Sequence, residues 1–303
     1  MTVVEGAIIY ANLVVLLAMG LTLTYITTAV PNFAQGSFAV FGSYVALTLL
    51  RLFKIHPYHS IPVCFMFGGL LGVLTYVTIL RPLIKKEASI VTLMIATLAW
   101  DLILLGVMGA YSEYLSHVTK KPAIKYIFTP YDFTLLGFPA ILFFSSLTIL
   151  ITLLGLFILL YKTKFGVALR ASMENPDLAE IMGINVEHTR LFSWFLSGSL
   201  SGMAGCLLPF KQEIVPGTGA IIIVTIFAAS IVGGLSSVVG ALLGGYIVGI
   251  SESLITYELS LIFGAEVLVY SKVVSLIILV VTLLIIPKGL VSLRWRKWLG
   301  SIS

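Results

Sequence analysis

A few strongly polar side chains lie inside the apolar stretches of this sequence, and they are its first candidates for chemistry. They are Asn12, Asp101, Glu252 and, near one end of the last apolar run, Lys272. A charge at the centre of a bilayer costs roughly 2.5–3.5 kcal/mol on insertion scales, so each needs water or a protein partner. For Asp101 the bundle interior, a substrate path and the membrane interface are all open. Glu252 ends a glycine-rich run, which predicts a boundary position.

Residues that would indicate an enzyme are absent from the positions that catalysis requires. The sequence has no GxxxxGK[ST] motif, so this chain is not expected to hold ATP in a P-loop. Its histidines fall in connecting segments: His56, His59, His117 and His188. An intramembrane serine nucleophile would lack a base, and Asp101 has no second intramembrane aspartate. Cys64 and Cys206 show no metal-binding spacing. We therefore expect no enzyme, no metal and no cofactor.

The composition is typical of a membrane protein. Of 303 residues, 59% are hydrophobic and 10% are charged, whereas soluble domains carry roughly 25% charged residues. The mean hydropathy is +1.10. Basic residues form short clusters between apolar runs, which orient a membrane protein, so the net charge of +5 does not predict nucleic-acid binding. The chain is predicted to be an all-α, polytopic transmembrane bundle in the lipid bilayer.

Apolar runs set the number of spans, because about 20 residues of helix cross a bilayer. The candidate spans are Ala7–Ala29, Ser37–Leu50, Ile61–Leu80, Ala88–Ala110, Ala140–Tyr161, Leu191–Phe210 and Val267–Ile286. The stretch Ala220–Leu254 is too long for one span, and Gly233–Ser237 is its natural break. We expect eight or nine spans in a single domain over residues 1–303. The N-terminus has no basic stretch or cleavage site, so the first run is predicted to be a retained span.

Clusters of basic residues predict which ends of the spans face the cytoplasm. The clusters are Arg81/Lys85/Lys86, Lys162/Lys164/Arg170/Arg190 and Lys288/Arg294/Arg296/Lys297. All three are cytoplasmic if Ala220–Leu254 crosses twice. The loop Tyr111–Gly137 then lies outside despite its lysines, and charge does not orient the N-terminus.

Two interruptions of the apolar pattern indicate irregular backbone near or within the membrane. Pro31–Ser37 breaks two apolar runs without a charge, and Gly233–Ser237 is similar. Such backbone is tolerated where it is packed in protein or lines a wet cavity, and paired broken helices point to a transport path. A tight turn between helices is the alternative. The candidate path residues are Asn32, Gln35, Tyr44, Asp101 and Glu252.

Small residues at four-residue spacing indicate closely packed helices. The pairs are Gly68/Gly72, Gly198/Gly202, Gly240/Gly244 and Gly245/Gly249. Glycines at this spacing let helix backbones approach one another. They predict a compact bundle or an oligomer and no particular chemistry.

The connection Lys162–Arg190 contains a short helix with a stop signal at each end. Asn175 is a good N-cap, Pro176 suits the first helical position, and Gly183 suits a left-handed C-terminal position. The predicted helix is Pro176–Met182, with Asp177 at its positive end and Leu178, Ile181 and Met182 on one face. Such a face lies either on the bilayer surface or in the groove of a partner protein.

Several motifs in order resemble the branched-chain amino acid (Liv-type) permeases of ABC transporters. Asp177-Leu178-Ala179 followed by Gly183 resembles the "EAA…G" loop of such permeases. The other matching segments are Gly20–Tyr25, Asn32–Gly36, Gly42–Tyr44, Leu80–Leu83, Leu169–Ala171, Met182–Asn185 and Gly233–Glu252. The resemblance covers Gly6 to Pro287. Gln35 stands where the family usually has histidine, and Ser237-Val238-Val239 lacks the proline that is common in the family between the two glycine clusters. These departures affect the prediction of the substrate more than that of the architecture.

The resemblance implies one permease subunit of an importer in a prokaryotic cell membrane. Its partners would be a second, related permease, two P-loop ATPases that bind the ATP, and an external substrate-binding protein. The coupling residues would be Asp177, Leu178, Ala179, Ile181, Met182 and Gly183, and transport would proceed by alternating access. The implied cargo is a branched-chain amino acid, with other amino acids, urea and short amides as alternatives. A secondary transporter or channel without ATPases is the alternative class.

Overall fold

A computed structural model of the chain describes residues 2–287 and 289–292, and most of these are helical. The helices are α1 (Val3–Thr28), α2 (Gln35–Leu52), α3 (Ile61–Thr75), α4 (Arg81–Lys85), α5 (Ile90–Thr119), α6 (Ala140–Lys162), α7 (Lys164–Glu174), α8 (Pro176–Ile181), α9 (Val186–Leu207), α10 (Thr218–Gly233), α11 (Val238–Phe263) and α12 (Ser271–Ile285). A two-stranded antiparallel hairpin, β1 (Thr134–Leu135) and β2 (Phe138–Pro139), precedes α6. The basic cluster Lys288/Arg294/Arg296/Lys297 lies outside the described residues.

The helices confirm an all-α membrane bundle. Within the described residues, seven helical segments are long and apolar enough to cross a membrane, and α10 is a shorter apolar helix. The predicted break after Gly233 is present, since Gly234 adopts φ +105 between α10 and α11. Two boundaries were wrong. Helix α5 continues to Thr119, so the connection predicted to begin at Tyr111 is shorter, and α11 continues to Phe263.

Helix α1 is the centre of the bundle. It carries no charge after Glu5, and 94% of its most apolar window is buried. A helix that is apolar on all sides is expected to be buried on all sides. Thr2 and Glu5 form a reciprocal capping box at its start, which satisfies backbone N–H groups there. Helices α9, α10 and α11 pack around it.

The predicted glycine pairs bring helices into backbone contact. A Cβ atom on Gly68 of α3 would lie 2.4 Å from the carbonyl oxygen of Gly198 on α9, and one on Gly202 would lie 2.2 Å from that of Cys64. Gly245 and Gly249 of α11 lie in the same way against α1, at Val15 and Ala11. Since real Cβ atoms do not approach so closely, glycine is required at these crossings.

Contacts between helix ends define the two ends of the bundle. At one, which we call the α8 end, Arg190 donates to the Thr27 carbonyl and Arg81 pairs with Glu187. At the other, which we call the hairpin end, Arg51 donates to the Pro122 carbonyl. The beginning of α1, the segment 211–217 and the beginning of α12 also lie at the hairpin end. The chain therefore carries α8 and the β-hairpin on opposite sides of its membrane spans.

Helices α2 and α10 start beside each other within the bundle. A Cβ atom on Gly36 would lie 2.1 Å from the carbonyl oxygen of Gly219. Of the two interruptions noted in the sequence, Pro31–Ser37 lies at this junction and Gly233–Ser237 does not. Gly233 lies against Gly240, so that break is a tight turn between α10 and α11. The chain after α9 folds back into the bundle before α10 begins. The amino-acid composition of this segment does not predict that path.

Candidate functional site

The start of α2 holds a buried network of uncharged polar groups. Asn32 donates to Gln35 Oε1 at 3.0 Å, and Gln35 Nε2 donates to Ser201 Oγ of α9 at 2.6 Å. Ser197 of α9 donates to Gln35 Oε1 at 3.2 Å. Both Asn32 and Gln35 are 0% exposed. In this conformation the two amides therefore fasten the start of α2 to the middle of α9, and neither faces an open route.

Asp101 joins this region from α5. Its carboxylate accepts a hydrogen bond of 2.6 Å from Ser37 Oγ in the first turn of α2. Thr97, one turn earlier on α5, accepts from the Phe33 backbone N–H at 3.3 Å. The positive end of a helix favours a nearby carboxylate. Of the three positions open to Asp101, the half-buried bundle interior beside α2 is the one that the structure shows.

Tyr44 lies apart from the other α2 candidates. It is nine residues after Gln35, which is about 13 Å along a helix. Its hydroxyl donates to the Ala123 carbonyl at 3.3 Å, and its ring packs edge-on against Tyr111 and Tyr126. Tyr44 thus fixes α2 to α5 and to the connection before the hairpin. The sequence grouped it with Asn32 and Gln35, but the structure does not bring them together.

Glu252 is the centre of a second buried polar cluster. Its Oε1 accepts from Tyr10 Oη at 2.9 Å and from Lys272 Nζ at 2.6 Å, and its Oε2 accepts from the hydroxyls of Thr225 and Ser275. Lys272 also donates to Tyr10 Oη at 2.6 Å. The predicted boundary position is wrong: Glu252 is 2% exposed, because α11 continues past it and α12 supplies a cation.

The sequence reasoning did not connect the members of this cluster. Tyr10, Thr225 and Ser275 were missed entirely. One feature of the sequence could have predicted the ion pair. Glu252 and Lys272 carry opposite charges and lie in consecutive apolar runs, and two antiparallel helices can bring such residues together. Two histidines are also placed differently: His117 lies in the last turn of α5 and His188 in the first turn of α9. Within the described residues, no group of three or more potential ligands lies close enough to hold a metal ion.

Helix α8 has the predicted caps. Asn175 accepts from the Leu178 backbone N–H at 3.0 Å, and Gly183 adopts φ +83 after the last turn. Ala179 is buried, and its carbonyl accepts from the Ile184 N–H at 2.9 Å. The opposite side projects outward: Leu178, Ile181 and Met182 are 55%, 80% and 76% exposed. Asp177 is also exposed. The structure therefore displays an apolar patch on a short, capped helix.

Helix α7, which the sequence reasoning missed, positions α8. It begins directly after α6 and makes a sharp turn there, since a Cβ atom on Gly166 would lie 1.8 Å from the Leu160 carbonyl oxygen. Arg170 donates to that same carbonyl at 2.6 Å. Helix α8 packs against α7 and α9, so its patch has a fixed direction relative to the spans.

Comparisons with known proteins identify the family. The chain matches the family described as "Branched-chain amino acid transport system / permease component" over residues 3–283. It is 64% identical, over 97% of its length and 93% of the relative, to "Probable branched-chain amino acid transport permease protein LivH" of Methanocaldococcus jannaschii. No solved structure matches the chain significantly.

More distant relatives are named for branched-chain amino acid transport and for autoinducer 2 import. The chain is 25% identical to "High-affinity branched-chain amino acid transport system permease protein BraD" of Pseudomonas aeruginosa, with 91% of each chain covered. It is 28% identical to "Autoinducer 2 import system permease protein LsrC" of Escherichia coli, over 78% of this chain and 66% of the relative. With the family match spanning residues 3–283 and apolar helices throughout, this chain belongs to the permease family of branched-chain amino acid transport systems.

Proposed function

We propose that this chain is the membrane permease subunit of an ATP-driven importer whose cargo is a branched-chain amino acid. The names of the relatives in Methanocaldococcus jannaschii and Pseudomonas aeruginosa support this cargo. The relative named for autoinducer 2 import supports a wider range of solutes within the same architecture. Leucine, isoleucine and valine are therefore the first substrates to test, followed by other amino acids, urea and short amides.

The proposed assembly has five parts. This chain pairs with a second, related permease, two P-loop ATPases bind at the α8 end, and a substrate-binding protein delivers the solute at the hairpin end. ATP is bound by the ATPases, since the sequence of this chain has no P-loop. Closure of the ATPases moves α8, and the permease pair alternates between outward and inward access.

The exposed apolar patch of α8 is the observation that carries this proposal. A helix of six residues would not persist alone in water, yet here it is capped at both ends and held by α7 and α9. Its three large apolar side chains point away from the chain. A groove on an ATPase would cover them, as in other helix-in-groove contacts.

Replacing Leu178 with Asp tests the coupling role. A carboxylate forced into an apolar contact should weaken docking by on the order of 2–4 kcal/mol. We expect the ATPases to dissociate, or to hydrolyse ATP without responding to substrate. The assay uses the complex purified with its partners, and measures ATP hydrolysis with and without loaded binding protein and uptake of labelled leucine into proteoliposomes.

Two further variants complete this test. Leu178→Met keeps the apolar contact and should retain coupling, while Gly183→Val should impair it because a β-branched residue resists the left-handed backbone found there. Normal substrate-stimulated hydrolysis and uptake in Leu178→Asp would contradict docking and favour a helix on the bilayer surface. Co-purification of two P-loop ATPases separates an importer from a secondary transporter or channel.

A further inference from the structure

A cavity of about 560 Å³ opens at the hairpin end, beside the Glu252 cluster. It lies between the beginning of α1, the second half of α11, the beginning of α12 and the connection after α9. Its volume falls within the roughly 300–1,000 Å³ of small-molecule sites. Tyr10, Glu252 and Lys272 form part of its wall, and Lys211, Gln212 and Thr256 form another part.

The acidic group in this cavity is already saturated. Each oxygen of a carboxylate accepts two hydrogen bonds, and Glu252 accepts two on each. It has no remaining capacity for the ammonium group of a solute. The cavity therefore offers no free acceptor at its only lining carboxylate among the described residues.

Free hydrogen-bond donors remain in the same wall. Lys272 Nζ uses two of its three donors, on Tyr10 and Glu252. Thr256 is 5% exposed, and its hydroxyl has no partner among the described residues. Lys211 Nζ also pairs with no described side chain. Burial lowers the pKa of the Lys211 ammonium, as expected for a cation taken from water without a counter-ion.

The charge of the lining agrees with this surplus of donors. Lys211 and Lys272 carry two positive charges, and Glu252 carries one negative charge. Buried donors without acceptors cost free energy, which a bound oxyanion would recover. Val3 and Leu268 add apolar surface to the same cavity, where an aliphatic side chain fits.

We propose that this cavity, bounded by Lys211, Thr256 and Lys272, binds the carboxylate of the solute as it enters from the hairpin end. The inference rests on the proposed function, which places substrate delivery at this end. A carboxylate accepts from Lys211, Thr256 and the remaining donor of Lys272, while the aliphatic part of the solute contacts Val3 and Leu268. A phospholipid phosphate has the same oxyanion chemistry and is the competing source of ligand.

Equilibrium binding of labelled leucine to the purified complex, without binding protein and in phosphatidylcholine nanodiscs, tests this site. We expect Lys211→Ala and Thr256→Val to raise Kd, the lysine variant by about tenfold or more, because hydrogen bonds to charged groups are the stronger ones. Lys125→Ala is the matched control: this lysine lies at the same end but pairs with Glu213 at the surface. Leucinamide, which lacks the carboxylate, should not displace leucine.

Three outcomes overturn the site. The first is absence of saturable leucine binding by the wild-type complex, and the second is unchanged binding in both variants. The third is unchanged leucine binding by Lys211→Ala together with loss of phosphatidylglycerol binding in that variant, which assigns the cavity to lipid. Leucine uptake by the same complex, with ATP enclosed in proteoliposomes, is measured in parallel. If the wild type takes up leucine but the variants bind leucine as it does, the site is wrong and the proposed function stands. If the wild type takes up no solute at all, the site and the proposed function are both overturned.

Discussion

The charged residues Asp101, Glu252 and Lys272 are tolerated inside the spans because each has specific partners. The ion pair Glu252–Lys272 is largely buried, with side-chain exposures of 3% and 19%. Removing charges from water is costly, and their attraction compensates only when the other hydrogen bonds are also satisfied. Glu252 meets this condition through Tyr10, Thr225 and Ser275. The cluster thus joins α1, α10, α11 and α12.

Breaking this pair from one side should destabilise the protein more than removing both charges. Lys272→Met leaves Glu252 without its cation, and such changes typically cost about 3–5 kcal/mol. The double variant Glu252→Gln/Lys272→Met removes the charge and should recover most of that loss. Thermal unfolding of the purified protein in detergent measures both. A double variant as unstable as Lys272→Met would contradict a paired-charge role.

At the scale of the element, local signals in the sequence predict the two ends of α8 and the break between α10 and α11. Asn175, Gly183 and Gly234 were expected to cap or break helices, and each does so because capping depends on residues within one turn. Interactions across the bundle were not predictable in this way. Glu252 and Lys272 lie 20 residues apart on different helices, so their pairing requires knowledge of which helices are neighbours.

Helix α7 shows why some elements have no clear sequence signal. Its buried positions are Gly166, Leu169 and Ser172, and two of these three are small. A helix is recognised in a sequence by large apolar residues at helical spacing. This segment lacks that pattern and instead contains the charged residues Lys164, Arg170 and Glu174. The close approach of Gly166 to Leu160 determines the turn, and this contact is visible only in the structure.

The crossing of α3 and α9 predicts a contrast between two glycine substitutions. Gly202→Ala places a Cβ atom against the Cys64 carbonyl, and forcing atoms into a packed contact typically costs about 1–3 kcal/mol. Gly106→Ala, in α5, meets nothing within 4 Å, and replacing an interior helical glycine there should stabilise by roughly 0.5–1 kcal/mol. Thermal unfolding in detergent compares them. Equal stability of the two variants would show that the α3–α9 contact opens without cost.

At the scale of the whole molecule, the fold separates two surfaces with different chemical character. The α8 end presents an exposed apolar patch, and the hairpin end presents a cavity with excess positive charge. Between them, α2 and α10 begin side by side at Gly36 and Gly219. Packing at this junction leaves no side-chain volume on either glycine, so the backbones of α2 and α10 are in direct contact where these helices begin.

The α8 end and the hairpin end are predicted to face opposite sides of the membrane. Basic residues of the connection Lys162–Arg190 predict that the α8 end faces the cytoplasm. Glu180 on α8 and Lys121 at the hairpin end are both exposed, so single cysteines there should differ in accessibility. In intact cells an impermeant thiol reagent should label Lys121→Cys and spare Glu180→Cys.

The native cysteines do not complicate this experiment. Cys64 and Cys206 are both 0% exposed, and their replacement by Ala provides the background. Permeabilising the cells should then expose Glu180→Cys, which controls for its intrinsic reactivity. Rapid labelling of Glu180→Cys before permeabilisation would reverse the orientation. It would also place α8 where ATPases cannot reach it, so the same measurement constrains the coupling role of Leu178, Ile181 and Met182.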